Sequence, residues 1–140
     1  MAPVTEEIQL RLSPSRIAPA AARGALGPLR GAVDRETLES TTLLVTELVT
    51  NAVLHAGLRE DRDWIDLSVE VSEDLVRAGV TDHGGGFARP PPRPQVEDPS
   101  GWGLFLVSRL ADRWGIEHGQ GTLVWFEIDR TATHTEDRSR

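Results

Sequence analysis

Apolar and polar residues alternate from Glu7 to Leu12, with Ile8, Leu10 and Leu12 on one side, which predicts a strand. Ser13-Pro14-Ser15 offers a helix start. Ile17 to Leu29 reads as an alanine-rich helix weakened by Pro19, Gly24, Gly27 and Pro28. Asp34 is a good N-cap for the next helix, with Thr37 in its first turns. Leu44, Val45, Leu48, Val49, Ala52 and Val53 then recur at helical spacing to about Ala56, and Gly57 is the expected stop. Alternation returns at Trp64 to Val71. A tight turn at Ser72-Glu73-Asp74 and a second run from Leu75 to Asp82 predict a hairpin. Gly84 to Ser100 is rich in Gly and Pro, the composition of a lid or binding loop. Trp102 to Ala111 predicts a short helix. Trp114 to Glu117 and Thr122 to Ile128 predict two strands joined through His118-Gly119-Gln120-Gly121. Short turns imply mostly antiparallel pairing, and the helices come in groups. The expected fold is an α+β two-layer sandwich, a mixed, mostly antiparallel sheet with helices on one face. One domain is expected over 1–130, with 131–140 a polar tail.

Glu47, Asn51 and His55 interrupt the apolar pattern of the long helix. They lie four apart and so stack in one stripe, flanked by Leu44 and Leu48 on one side and by Leu43 and Leu54 on the other. Asn51 is the only asparagine in the chain, and helix propensity gives no reason for it. A solvated stripe is one reading; a stripe facing a polar ligand is the other.

Asp82 closes the inward row Val76, Ala78 and Val80, just ahead of three glycines. A carboxylate pointing that way needs hydrogen-bond donors. They could come from its own turn, or from a ligand with an N–H group such as a purine amine. Gly84, Gly85 and Gly86 would let backbone approach that ligand. His83-Gly84-Gly85-Gly86 also resembles an esterase oxyanion loop, but no G-x-S-x-G nucleophile elbow accompanies it. Gly101 and Gly103 open the short helix, whose free amides either bind an anion or simply follow a turn. Leu104, Leu106, Val107 and Leu110 form that helix's core face. Thr122 ends a second inward row, Val124, Phe126 and Ile128.

Composition narrows the chemistry. All 15 basic residues are arginine, which removes the phosphate-gripping lysine of G-x-x-x-x-G-K-[ST] loops. Triphosphate binding would then depend on backbone amides, a metal and arginines such as Arg89 and Arg93. A net charge of −7 argues against direct nucleic-acid or membrane-surface binding. No apolar run is long enough for a membrane helix, and Met1 to Leu12 does not read as a signal peptide. The absence of cysteine fits a reducing cytoplasm.

Four stretches stand in a recognisable order: Glu47-x-x-x-Asn51-Ala52, Asp82-x-Gly84-x-Gly86-Phe87, Gly101-x-Gly103-Leu104-x-Leu106-Val107 and Gly119-x-Gly121-Thr122. From about Glu7 to Ile128 the chain resembles the Bergerat-type ATP-binding superfamily of gyrase, histidine kinases and mismatch-repair ATPases. Within it, the compact size and the ending from Gly121 to Ile128 are similar to anti-sigma-factor serine/threonine kinases of the short actinobacterial kind. The resemblance implies ATP and Mg²⁺ as cofactors. Asp82 would accept the adenine amino group, with Thr122 in support through a water. Asn51 would hold Mg²⁺, and Glu47 would act as general base. Gly84, Gly86, Gly101, Gly103 and Leu104 would line the nucleotide pocket and its lid; Pro90 to Pro94 departs from the family pattern as an unusually stiff lid segment. His55 would lie at the pocket edge, and Trp102 would stack on a partner or pack. The implied partners are a sigma factor and a small anti-anti-sigma (STAS-like) protein, with a homodimer also implied. A non-catalytic ATP-binding module that sequesters a sigma factor is the alternative.

Overall fold

The computed structural model describes residues 2–83 and 102–130. The segment 84–101, with its prolines and Arg89 and Arg93, lies outside them, as does 131–140. The elements are β1 (Val4–Leu12), α1 (Ala18–Ala25), a 3₁₀ turn (Gly27–Gly31), α2 (Arg35–His55), β2 (Trp64–Ser72), β3 (Leu75–His83), α3 (Trp102–Leu110), β4 (Arg113–His118) and β5 (Thr122–Asp129).

The strands form one sheet in the order β1-β2-β3-β5-β4. Among the described residues every neighbouring pair is antiparallel, so the sheet they form is not mixed. The inward rows are in register: Leu10 opposite Leu67, Leu67 opposite Val80, Val80 opposite Val124. With Ile65, Val69, Ala78 and Phe126 they form a buried layer, on which Leu44, Val45, Val49 and Val107 of the helices pack. The helix over Ile17 to Leu29 is split. Pro28 has no N–H and disfavours a helical Gly27, so α1 ends at Ala25 and the chain tightens into the 3₁₀ turn. On α3, Leu104 and Val107 are buried, but Leu110, expected in the core, is exposed at the last turn.

Helix α2 carries the polar stripe, and both its ends are set locally. The Asp34 carboxylate accepts from the Thr37 amide at 3.2 Å and from its hydroxyl at 2.6 Å. Gly57 follows the helix with φ of 70°, a conformation glycine adopts without a Cβ penalty. The link to β2 is tied by the buried Asp63, whose carboxylate accepts from the Arg59 amide at 2.7 Å.

The opposite face of the sheet carries charged pairs. Arg77 reaches Glu127 at 2.6 Å and lies over the Trp125 ring at 4.5 Å. Arg113 bonds the same Glu127 at 2.6 Å and also pairs with Asp129. The Arg113 hydrogen bond holds the Glu127 carboxyl below its ordinary range despite partial burial. At Asp34, burial pushes the pKa up, but the Thr37 hydrogen bonds outweigh it and the net shift is downward. A carboxylate with a depressed folded pKa stabilises the fold above its unfolded pKa, and that contribution is lost as pH falls through the folded value. The melting temperature is therefore expected to fall as pH drops below the ordinary carboxylate range. Asp34→Ala should lose about 1 kcal/mol at neutral pH and show a shallower acid decline. Circular dichroism melts across that range check both expectations; a flat profile would contradict them.

Candidate functional site

Asp82 and Thr122 face each other directly across β3 and β5. Both lie on the helix side of the sheet, because Asp82 continues the buried row Val76, Ala78, Val80 and Thr122 continues Val124, Phe126, Ile128. Both are half-buried, where the apolar row gives way to polar groups. Ile65, fully buried, is the neighbour of Asp82 on β2. The strand end is braced on the other face. His83 stacks on Trp64 with ring centroids 5.2 Å apart, and its Nε2 lies 3.0 Å from Asp66. Arg11 lies over the same indole at 4.5 Å and bonds Asp66 at 3.0 Å. These contacts tie β1, β2 and β3 together behind Asp82.

The second half of the site is on α2, which packs on β3, β5 and α3. Glu47 and Asn51 are one turn apart, or about 6 Å along the helix axis. Both are half-buried. Their stripe runs along the seam of the helix: Leu44 and Leu48 beside it are buried, whereas Leu43 and Leu54 on its other side are 40% and 65% exposed. The core thus walls the stripe on one side only, and the other side is open. The link 56–63 returns the chain from the end of α2 to Trp64, whose partner is His83, so this end of α2 is tied to the strand end that carries Asp82. His55, at the last turn of α2, is exposed.

Of the other expected residues, Gly84, Gly86 and Gly101 lie outside the described residues. Gly103 is in the first turn of α3. Leu104 is buried in the core cluster, so any contact it makes with a nucleotide would be from the pocket wall. Gly121, in the sequence only a motif glycine, lies against the strand end of Asp82. A Cβ added there would run into the backbone carbonyl oxygen of Asp82.

Asn51 offers a neutral side-chain oxygen, a donor of the type that a water-retaining Mg²⁺ accepts. Among the described residues, no three of His, Cys, Asp and Glu gather to hold a metal. A cation here would take the side-chain oxygen of Asn51 together with phosphate oxygens and waters, as Mg²⁺ commonly does.

The family model described as histidine kinase-like ATPase domain matches residues 13–128. The chain belongs to the histidine kinase-like ATPase domain family. A serine-protein kinase RsbW of Listeria monocytogenes serotype 4a (strain HCC23) is 28% identical over 106 residues, covering 68% of each chain. An anti-sigma F factor of Pasteuria penetrans is 35% identical over 100 residues, covering 64% of this chain and 66% of that one. The crystal structure of the RsbU and RsbW domains of Rv1364c from Mycobacterium tuberculosis has the same fold, with a TM-score of 0.68 at 22% identity over 89% of this chain. This chain spans 32% of that larger one. The histidine kinase-like ATPase fold thus places the Asp82–Thr122 pair and the Glu47–Asn51 helix on one side of one sheet. Among the described residues, no helix of this family member is long and apolar enough to cross a membrane.

Proposed function

We propose that the chain binds ATP with Mg²⁺ and transfers the γ-phosphoryl group to a serine or threonine of a small anti-anti-sigma-like protein, and that it restrains a sigma factor in the cytoplasm. The observation that carries this reading is the direct pairing of Asp82 with Thr122 on the sheet face covered by the helix of Glu47 and Asn51. The relatives named serine-protein kinase and anti-sigma F factor support it. The proposed ATP-binding unit is 1–130.

In this proposal the Asp82 carboxylate accepts a hydrogen bond from the adenine amine, and Thr122 supports it from β5. Asn51 would hold Mg²⁺, which supplies charge neutralisation at the phosphates when bound. Glu47 takes the proton of the partner hydroxyl as its oxygen bonds to the γ-phosphorus. The bond from that phosphorus to the β–γ bridging oxygen breaks, and ADP leaves with the bond's electron pair.

The test is incubation with γ-labelled ATP, Mg²⁺ and a purified STAS-like partner. Label is expected on a partner serine or threonine. An unlabelled partner, with ATP bound and a sigma factor still held, would favour the sequestering module instead. The Pasteuria penetrans relative, named an anti-sigma factor, keeps that second reading open.

A further inference from the structure

Three glycines, two in the sheet and one in the β4–β5 turn, sit where a methyl group would collide with a neighbour, and they are not equivalent. At Gly79 the neighbour is Leu123 Cδ1, 2.9 Å from the added Cβ. At Gly115 it is the Trp125 indole, also at 2.9 Å. Both neighbours are side chains, which can rotate away, and both lie on the face away from the helices. At Gly121 the neighbour is backbone: the Asp82 carbonyl oxygen, with the carbonyl carbon at 3.0 Å and His83 Cα at 3.5 Å. Backbone paired on both flanks cannot rotate away. Asp82 is held between Ile65 and Thr122, and His83 by Trp64 and Asp66.

Gly121 also closes the β4–β5 turn, its carbonyl accepting from the Gly119 amide at 2.9 Å. Thr122 follows directly as the first residue of β5, and its pairing with Asp82 ends the ladder with β3. A side chain at 121 would therefore have to lift the start of β5 away from β3 at the one pair proposed to meet the base. The effect would be local, since the register from Val80 and Val124 onward is fixed by buried side chains.

We propose that Gly121 is a positioning residue for base selection: its missing side chain sets the Asp82–Thr122 spacing with which the site distinguishes a 6-amino purine from a 6-oxo purine. This rests on the nucleotide-binding reading above. The chemistry is simple. Adenine presents an amine that donates to the Asp82 carboxylate, whereas hypoxanthine presents a carbonyl there and leaves the carboxylate facing an acceptor.

The experiment is calorimetric titration of ADP and of inosine diphosphate, each with Mg²⁺, into the unmodified chain, Gly121→Ala and Gly115→Ala. The unmodified chain is expected to prefer ADP by about 10-fold to 100-fold. In Gly121→Ala that preference should fall by about 10-fold or more. Gly115→Ala should melt at a lower temperature yet keep the preference, which separates positioning from general destabilisation. A preference unchanged in folded Gly121→Ala overturns the role of Gly121 and leaves nucleotide binding standing. No ADP binding by the unmodified chain overturns both proposals. Should Gly121→Ala not fold, NMR of the unmodified chain decides. The Gly121 amide signal is expected to shift with ADP and less with inosine diphosphate, and equal or absent shifts at saturation overturn the role.

Discussion

Replacing Glu47 with alanine is expected to slow phosphoryl transfer by about 10²-fold to 10⁴-fold, the usual contribution of a positioned general base. Its effect on ADP affinity should stay within about 3-fold, since the carboxylate is assigned to the partner hydroxyl and not to the nucleotide. The substitution suits the helix. Alanine is the best helix former, and Glu47 sits on the seam of α2, not among the fully buried residues. A loss of transfer therefore cannot be ascribed to unfolding if the melting temperature holds. Single-turnover transfer of label, run beside an ADP titration, separates the two effects. Transfer at the unmodified rate would remove Glu47 from the chemistry.

Asp82→Ala is the counterpart, with the loss in binding. It removes a charged acceptor at the end of an otherwise apolar row, and ADP affinity should fall by about 10-fold to 100-fold. The fold should tolerate the change, because Asp82 is half-buried and the adjacent register is held by Val80 opposite Leu67 and Val124. Asp82→Asn keeps one carbonyl oxygen and should fall between the two. If Asp82→Ala binds ADP as tightly as the unmodified chain, the base is read elsewhere. The two variants thus divide the site: one change spares binding and stops transfer, the other weakens binding.

Features decided within a few residues were legible in the sequence. Asp34 and Gly57 bound α2 because a cap and a left-handed stop are local devices. The period-two rows placed Asp82 and Thr122 on the inward face because the pleat alone dictates it. Features decided between distant segments were not. The antiparallel pairing of β3 with β5 skips α3 and β4, so the sheet read as mixed. Arg77 and Glu127 lie 50 residues apart, and no local pattern announces their pairing. Nor did the sequence show that Leu43 and Leu54 would be exposed while Leu44 and Leu48 are buried, because the width of the buried face depends on what packs on it. Gly121 was visible as a motif glycine, but the carbonyl it approaches belongs to β3. The break of α1 ahead of Gly27-Pro28 is a local signal, because Pro28 lacks an N–H and Gly27 is a weak helix former.

Adenine-nucleotide binding underlies both the transfer reaction and its sequestering alternative, and a thermal-shift titration of the unmodified chain with ADP and Mg²⁺ tests it most directly. A ligand that binds only the native state, at about 100 times its dissociation constant, adds about 2.7 kcal/mol and should raise the melting temperature by on the order of 10 °C. That rise, at most about half as large with inosine diphosphate at the same concentration, is the expected result. A melting temperature indifferent to ADP at millimolar concentration would contradict the assignment of Asp82, Thr122, Asn51 and Glu47 to a nucleotide site.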